Sequence, residues 1–484
     1  MIYGAGVLLS HAASFVLLPV YTRYMTPADY GTLQLLTMVL EVVSIVAGSR
    51  LGAGIFYFFH KADKEADKRS VLSTAAFVLA ASYGTTSLGT YLAAPHIAAV
   101  LFHSPADTRL VRLAAGGLAS ESLLLVPFAY LQVRERSASY VGVTSTKLVI
   151  QVGLNILFLV RMGLGAAGVL WSTLISNMAV GTCLTIYLFT RVGFHVSGRT
   201  MRDLLRFGLP FVATQVATFV LTFGDRYFLN RASDPAVVGL YGLAYQFGFL
   251  LFALAYGPFN SVWEPARFTI ARRPDRDRIY ARAFVYFNVL LITLTVGIAL
   301  FTRDFLNIAA GPAFRSAAGL VPIILLAYVL QAWTGVHNLG IQMRERTEYI
   351  TLANWAGAVV ALIGYVILIP PWLGLGAAIA TVASFAVREW LVYRYSQRLW
   401  RVAYEWRPVV RLLLIGTLAC AAGIILVPSG NIWLSLGWHT TWLVAYGVGV
   451  WFGDVLPAED RANISRVMRS PAALLTGLRG ALAR

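Results

Sequence analysis

Residues 281–301 read ARAFVYFNVLLITLTVGIALF, a run in which Arg282 is the only charged residue. As a helix, a run of this length covers about 30 Å, which is the thickness of the hydrocarbon core of a membrane. The stretch therefore predicts a membrane-spanning helix. Because similar runs recur along the whole chain, the sequence predicts an all-α polytopic membrane protein.

About fourteen spans are predicted in all. They are 2–21, 32–59, 71–94, 109–133, 141–160, 166–190, 207–230, 237–263, 281–301, 317–341, 350–369, 375–395, 411–428 and 438–453. The 484 residues are 58% hydrophobic and only 13% charged, with a mean hydropathy of +0.69, whereas an average soluble domain is about 25% charged. This composition excludes an ordinary soluble enzyme, and the short loops between the spans leave no room for a soluble catalytic domain.

The distribution of Lys and Arg predicts the orientation. One alternating set of loops, together with the tail from residue 454, carries 28 of the 39 basic residues, the opposite set carries seven, and four lie within spans. The basic side should be cytoplasmic, so both termini are expected inside. The net charge of +17 then indicates loop arginines that face anionic lipid, and no nucleic-acid partner is expected.

Several other features narrow the class. Cys183 and Cys420 both lie in apolar runs, so neither a disulfide framework nor a metal cluster is expected. Met1 leads straight into an apolar run without a basic segment, so no cleaved signal peptide is predicted. No phosphate-binding loop of the G-x-x-x-x-G-K-[ST] type occurs, so transport should use an ion gradient or the gradient of the substrate. The tail at 454–484 is either an interfacial helix or a loosely ordered terminus.

Three short matches recur 210 or 211 residues apart and indicate an internal repeat. The pairs are Tyr30-Gly31 with Tyr241-Gly242, QVRER at 132–136 with QMRER at 342–346, and GLGAA at 163–167 with GLGAA at 374–378. Six spans separate the equivalents, so the two copies should cross the membrane in the same direction.

The repeat predicts two parallel six-helix lobes around a central cavity, with two further helices appended. The predicted N-lobe is 1–191 with spans 1–6, and the C-lobe is 207–396 with spans 7–12. Spans 13 and 14 occupy 411–453, and the cytoplasmic tail follows at 454–484. This is the organisation expected of an alternating-access transporter.

Charged side chains within spans are costly and mark candidate sites, at about 2.5–3.5 kcal/mol each. Arg50 lies nine residues, or about 14 Å, from the cytoplasmic end of its span, which is farther than its side chain can reach. Three glycines surround it, at positions 48, 52 and 54. We therefore expect Arg50 to face a polar cavity, and Glu41, on the opposite helix face, to be an internal packing partner.

Glu121 lies near the middle of its span between two serines. Its alternatives are an ion pair, a protonated carboxyl group or a cation site. Lys147 is six residues from the predicted cytoplasmic end of its span, and Thr144, Lys147, Gln151 and Asn155 share one helix face. This polar stripe is expected to line water.

Span 7 carries Asp225 at the end of a stripe of threonines, with Arg226 next to it. Adjacent helix residues point about 100° apart, so each of the two is expected to pair across helices. Glu121 and Asp225 are the predicted ion-coupling residues, with a proton or sodium ion as the only expected cofactor. In span 8 a continuous aromatic face begins at Tyr241 and Tyr245, and it either packs against helices or stacks on sugars.

Two stretches resemble a known family. Residues 17–31, LLPVYTRYMTPADYG, are similar to the opening signature of polysaccharide transporters in the multidrug/oligosaccharidyl-lipid/polysaccharide (MOP) superfamily. GDRYFL at 224–229 and VGLYG at 238–242 are similar to the start of that family's second lobe. With the shared plan of spans, the resemblance covers most of the chain.

The resemblance implies a flippase that moves a polyprenyl-diphosphate-linked oligosaccharide across the cytoplasmic membrane, for cell-surface polysaccharide biosynthesis. It implies cationic cavity residues at Arg23 and Arg50, with Arg267 as a looser match. Together with the polar residues within spans, the predicted substrate-binding set is Arg23, Arg50, Lys147, Gln151, Asn155 and Arg226. The expected partners are that glycolipid and the bilayer, with a polysaccharide polymerase and glycosyltransferases as candidate protein partners.

Two alternatives come from other functional classes. A cation-coupled multidrug exporter of the same superfamily would favour an acidic, apolar cavity. A membrane glycosyltransferase or polymerase would need a large outer loop with catalytic carboxylates or histidines, and the predicted outer loops are short. A transporter rather than an enzyme is therefore predicted.

Overall fold

The computed structural model describes residues 15, 17–48, 51–102, 107–428, 431–456 and 461. In this part of the chain nearly all residues are helical and no strand occurs, which confirms the predicted all-α class. The helices before the second repeat are α1 (Leu18–Tyr24), α2 (Pro27–Val46), α3 (Leu51–Lys61), α4 (Glu65–Leu92), α5 (Ala94–Phe102), α6 (Thr108–Val133), α7 (Ser137–Ile156) and α8 (Gly165–Val192). The later helices are α9 (Gly198–Ala232), α10 (Pro235–Leu251), α11 (Gly257–Ile270), α12 (Arg276–Ala309), α13 (Val321–His337), α14 (Leu339–Met343), α15 (Glu348–Leu399), α16 (Trp406–Ile425) and α17 (Ile432–Phe452).

Ten helices in the described residues are long and apolar enough to cross a membrane. The number becomes eleven if the two segments of α9, Gly198–Leu209 and Val212–Ala232, count as one span with a 44° bend. The chain is therefore a multi-pass membrane protein, as predicted. The count of fourteen stays a prediction, since most of the span expected at 2–21 lies outside the described residues.

Helix α15 covers two predicted spans, 350–369 and 375–395. Its 52 residues would extend for about 78 Å at 1.5 Å per residue, more than twice the hydrocarbon thickness. The helical backbone is interrupted at Leu373, which has φ 45° and ψ −124°. Two prolines, Pro370 and Pro371, lie just before this break. The two spans are therefore separate, with almost no loop between them.

The second predicted span, 32–59, is interrupted in its middle. Helix α2 ends at Val46, Gly48 has φ +87°, and helix α3 begins at Leu51. The expectation that Glu41 and Arg50 lie on opposite faces assumed 100° per residue through this break, so it is not valid here. Glu41 is exposed rather than internal, and Arg50 lies outside the described residues.

The two copies of the Gln-x-Arg-Glu-Arg motif form the same turn. The backbone N–H of Glu135 donates to the carbonyl of Gln132 at 3.0 Å, and that of Glu345 donates to Gln342 at 3.1 Å. The next backbone N–H in each copy, that of Arg136 or Arg346, donates to the carbonyl of the residue directly before the motif, at 2.8 and 3.0 Å. This is the hydrogen-bond pattern that closes a helix C-terminus, and it follows α6 in one copy and α14 in the other.

The chain divides into two compact units, residues 1–261 with 305–400 and residues 262–304 with 401–484. The second unit thus groups most of α12 with α16 and α17. Inside it, the buried Asp304 accepts a hydrogen bond from Ser435 at 2.6 Å and contacts Nδ1 of His439 at 2.5 Å. The predicted lobes, 1–191 and 207–396, and the appended segment at 411–453 stay predictions.

Candidate functional site

A cavity of about 270 Å³ lies among helices α3, α4, α6 and α7. Among the residues that line it are Gly52, Phe56, Glu121, Phe128, Gln132 and Lys147. Glu121 is exposed to this space although protein surrounds it on most sides, and Lys147 is half-buried. The cavity thus brings together two predicted site residues that come from different helices.

Glu121 and Lys147 lie at similar depths in their helices. Lys147 is ten residues beyond Ser137, where α7 begins, and Glu121 is twelve residues before Val133, where α6 ends. At 1.5 Å per residue these positions lie about 15 and 18 Å from the helix ends, close to the middle of a membrane. Lys147 therefore lies deeper than predicted, because α7 begins four residues before the expected start of the span.

The charges of Glu121 and Lys147 interact electrostatically. Within the described residues, neither side chain makes a hydrogen bond, or an ion pair within 4.0 Å. Tyr83 interacts electrostatically with Glu121 and with Glu41. Two opposite charges at mid-membrane depth, without direct partners and next to a cavity, are an arrangement that a polar ligand or water can satisfy.

The polar stripe on α7 does not line one cavity. Gln151 donates to the hydroxyl of Thr173 on α8 at 3.2 Å, and Asn155 donates to the hydroxyl of Tyr21 on α1 at 3.1 Å. Asn155 is fully buried, and its Oδ1 has no partner in the described residues. The spacing does place these residues on one face, but that face meets different neighbours as the helix crosses the membrane.

Asp225 and Arg226 form a fully buried ion pair, with 3.1 Å between Asp225 Oδ1 and Arg226 Nη1. The hydroxyls of Tyr241 and Tyr245 donate to the other carboxylate oxygen at 2.6 and 2.9 Å. The expected contacts across helices are present, but the expectation that they replace a pairing of Asp225 with Arg226 is wrong. Arg226 folds back along its own helix, where Nη1 also donates to the carbonyl of Thr222 at 2.7 Å.

The same pair is linked to the first repeat. Nε of Arg226 donates to Oε1 of Gln34 on α2 at 3.4 Å. The guanidinium also lies 4.8 Å from the ring centre of Tyr245 and 4.9 Å from that of Phe223, within the range of cation–π attraction. The network therefore joins α2, α9 and α10, and every charge in it has a partner.

Helices α2 and α10 touch through their backbones near their N-termini. A Cβ atom on Gly31 would lie 1.7 Å from the carbonyl oxygen of Pro235, and one on Gly239 would lie 2.1 Å from that of Pro27. No other residue fits at these distances without separating the helices. The glycines therefore hold the N-terminal ends of α2 and α10 against each other.

The remaining predicted cations lie elsewhere. Arg23 is exposed and donates from Nη2 to the carbonyl of Ile308 at 3.0 Å, so it caps the end of α12 rather than lining the cavity. Arg267, in the second unit, is buried and pairs with Glu264. Arg388 and Glu389 are buried, where Arg388 donates to Gln331 and Glu389 contacts His337. The described residues include no cluster of three or more His, Cys, Asp or Glu side chains that could hold a metal ion.

Sequence reasoning missed Gln34 and the partners of Asp225. Tyr241 and Tyr245 belong to the predicted aromatic face of span 8. Their spacing of one helical turn was the available signal that both hydroxyls could reach the same carboxylate. That face packs inside the protein, where the ring centres of Tyr245 and Phe249 lie 6.0 and 5.5 Å from the ring centre of Tyr328. For Gln34, the signal was a lone amide in an otherwise apolar run.

The fold of these helices is similar to that of several solved membrane proteins. The lipid II flippase MurJ, in an inward closed conformation, has a TM-score of 0.77 at 10% identity over 93% of this chain and 98% of that one. A MATE-family multidrug transporter of the MOP superfamily, in an inward-facing conformation, has a TM-score of 0.59 at 16% identity, covering 81% and 95%. The MATE transporter DinF-BH, in complex with R6G, gives 0.59 at 14% identity, covering 81% and 94%.

The family is shown by the sequence itself. The family model described as polysaccharide biosynthesis protein matches residues 20–318, which is more than half of the chain. The chain belongs to this family of polysaccharide biosynthesis proteins. No curated protein matches it significantly in sequence.

Proposed function

We propose that this chain is a transporter, not an enzyme, which flips a polyprenyl-diphosphate-linked oligosaccharide across the cytoplasmic membrane by alternating access. The observation that carries the proposal is the cavity with Glu121 and Lys147, which provides polar groups at mid-membrane depth. A glycan needs such groups to cross the hydrocarbon region, where unsatisfied polar groups are costly. Membership of the polysaccharide biosynthesis family supports the choice of cargo.

The similarity in fold also supports a flippase. MurJ is described as a lipid II flippase, and it resembles this chain more fully than the MATE transporters do, with a TM-score of 0.77 against 0.59 and with 93% against 81% of the chain covered. The glycine contact of α2 with α10 agrees with a resting state that is closed on the outer side. In that state the glycolipid would load from the cytoplasmic leaflet, with both termini in the cytoplasm.

A cation-coupled multidrug exporter is the second candidate, and the MATE folds favour it. Such an exporter would bind amphipathic cations on Glu121, and Lys147 in the same cavity would repel them. The presence of Lys147 therefore favours the flippase. Coupling to a proton or sodium ion through Glu121 or Asp225 stays part of the proposal, as do a polymerase and glycosyltransferases as partners.

Reconstitution in vesicles tests the proposal directly. A fluorescent polyprenyl-diphosphate oligosaccharide is placed in both leaflets, and flipping is measured as the fraction that an impermeant reagent can reach. We expect flipping with the wild-type protein and a loss of at least about tenfold with Lys147→Met, because a hydrogen bond to a charged group contributes about 1.5–3 kcal/mol. The matched control is Lys64→Met, which removes the same charge from an exposed position outside the cavity.

Two results would contradict the proposal. One is a wild-type protein that leaves the glycolipid in its original leaflet while it moves a fluorescent organic cation, which would indicate the exporter. The other is an equal rate for Lys147→Met and Lys64→Met. Dependence of the rate on an imposed proton or sodium gradient, compared between wild type, Glu121→Gln and Asp225→Asn, tests the coupling.

A further inference from the structure

We propose that the cavity between Glu121 and Lys147 is a subsite for a sugar residue of the glycan, and that it does not bind the diphosphate. The inference rests on the proposed function and assigns one part of the substrate to this site. It starts from the charges, which are one carboxyl group and one amine on the described residues that line the cavity. The pair has no net charge, whether the proton resides on the amine or on the carboxyl group.

A diphosphate requires an excess of positive charge. Its oxygens accept hydrogen bonds and donate none, so Lys147 would attract it while Glu121 would repel it at the same site. A site for a diphosphate would be expected to hold arginines in forked, two-bond contacts. The described lining of this cavity contains no arginine.

A sugar hydroxyl both donates and accepts, so it can satisfy both charges at once. The amine of Lys147 offers three donors, the carboxylate of Glu121 accepts, and the amide of Gln132 does both. Because Glu121 and Lys147 make no direct ion pair with each other, a hydroxyl-bearing ring can lie between them. Binding then supplies hydrogen-bond partners for two charges to which the described residues offer none.

The apolar part of the lining also fits a sugar. Phe56 and Phe128 come from two different helices and contribute phenyl rings, on which the C–H face of a pyranose can stack. Phe56 is 37% exposed, so its ring is available to a ligand. Gly52 adds space, because among the described residues no atom of another element lies within 4 Å of the position that a Cβ would take there.

The size of the cavity agrees with one sugar residue. Its volume of about 270 Å³ lies just below the range of about 300–1,000 Å³ for sites that hold drug-sized ligands. A single sugar ring fits this space. In the proposal the diphosphate binds outside this cavity.

Binding of two lipids to the purified full-length protein tests the assignment. The probes are polyprenyl diphosphate without sugar and the same lipid with one N-acetylhexosamine, and their dissociation constants are compared for each variant. We expect Glu121→Gln and Lys147→Met each to weaken binding of the sugar-bearing lipid by about 10- to 150-fold. Binding of the sugar-free lipid should change by less than about threefold.

The sign of the Glu121→Gln effect separates the two assignments. If the cavity instead bound the diphosphate, removal of the negative charge would strengthen binding of both lipids, and Lys147→Met would weaken both. That pattern would overturn the sugar subsite while leaving the proposed function intact. If the wild-type protein binds neither lipid, the proposed function itself fails.

Two further variants keep the test valid if the loss of a charge disturbs folding. Gly52→Leu fills the cavity without changing a charge, so it should weaken binding of the sugar-bearing lipid alone. Phe128→Ala should have the same effect, and Phe189→Ala is its matched control, since Phe189 is similarly half-buried but lines a different cavity. Equal affinities of Gly52→Leu, Phe128→Ala and wild type for the sugar-bearing lipid would overturn the inference.

Discussion

Glu135 and Glu345 have the same backbone conformation, with φ values of 55° and 56°, although 210 residues separate them in the chain. Each occupies the same place in its copy of the repeated turn, and both side chains are exposed. A positive φ is unfavourable for any residue with a Cβ atom, and glycine is the usual choice at this point of a helix end. The two repeats therefore share a strained position as well as a sequence motif.

Replacement of either glutamate by glycine should stabilise the protein. Glu135→Gly and Glu345→Gly are each expected to raise the free energy of unfolding by about 1 kcal/mol, because glycine adopts positive φ without steric cost. Thermal unfolding in detergent measures the change. The controls are Glu135→Ala and Glu345→Ala, which keep the Cβ atom and should give no gain; an equal gain with alanine would mean that the carboxylate, not the backbone, is the source.

The contact of α2 with α10 should not tolerate a side chain. Backbone atoms already occupy the space that a side chain would need at Gly31 or Gly239. Gly31→Val and Gly239→Val are therefore expected to hold the helices apart and to lower the transport rate at least about tenfold, while the protein still inserts. Val238, which is fully buried, reports the opening. A Val238→Cys variant should react with an impermeant thiol reagent from outside only when Gly31→Val is also present.

Gly84→Val is the control for that experiment, since no other element in the described part of the chain comes within 4 Å of a Cβ at Gly84. It should leave Val238→Cys protected and transport unchanged. Protection of the cysteine in the Gly31→Val background would show that the outer contact can reform around a valine, contrary to the expectation.

The Asp225–Arg226 pair should be necessary for stability. Asp225→Asn or Arg226→Gln leaves one buried charge without its partner, which typically costs about 3–5 kcal/mol. The double variant should lose less than the sum of the single losses, with a coupling energy of about 1–3 kcal/mol. Unfolding of the four proteins in detergent gives this cycle, and additive losses would mean that Tyr241, Tyr245 and Gln34, rather than the pair itself, satisfy the charges.

Both termini should lie in the cytoplasm, with fourteen spans between them. Alkaline phosphatase is active only outside the cytoplasm, so a fusion after Arg69 should be inactive and a fusion after Gly430 should be active. The expectation depends on the 28-to-7 asymmetry of basic residues between the two sides. Activity of the Arg69 fusion, or inactivity of the Gly430 fusion, would show a different number of spans.

Much of the fold could be predicted from hydrophobicity alone, because in a membrane every backbone polar group must be satisfied within a helix. The interruption near Gly48 could not, since glycine occurs both within membrane helices and at their breaks. The start of α7 at Ser137 was also missed, because polar residues at a helix end look the same as a loop. That error placed Lys147 too close to the surface.

Two residues that line the cavity could be singled out from the sequence, but their arrangement could not. Glu121 and Lys147 were identified because a charge within an apolar run is conspicuous, but nothing in the sequence indicates that they share one cavity. The ideal-helix angle favoured partners on other helices over the pairing of Asp225 with Arg226, because it ignores the length of an arginine side chain. Contacts between distant helices depend on tertiary packing, which periodicity does not contain.

The pairing of Asp225 with its sequence neighbour has a consequence for biogenesis. A helix that carries its own counter-charge can leave the translocon as a nearly neutral segment, before any later helix has been made. Glu121 and Lys147 lie on consecutive helices, so each enters the bilayer without such compensation until the helical hairpin of α6 and α7 has formed. A neutral residue in place of Asp225 or Arg226 alone should therefore impair insertion of that helix, whereas a neutral residue at Glu121 or Lys147 should ease insertion of α6 or α7.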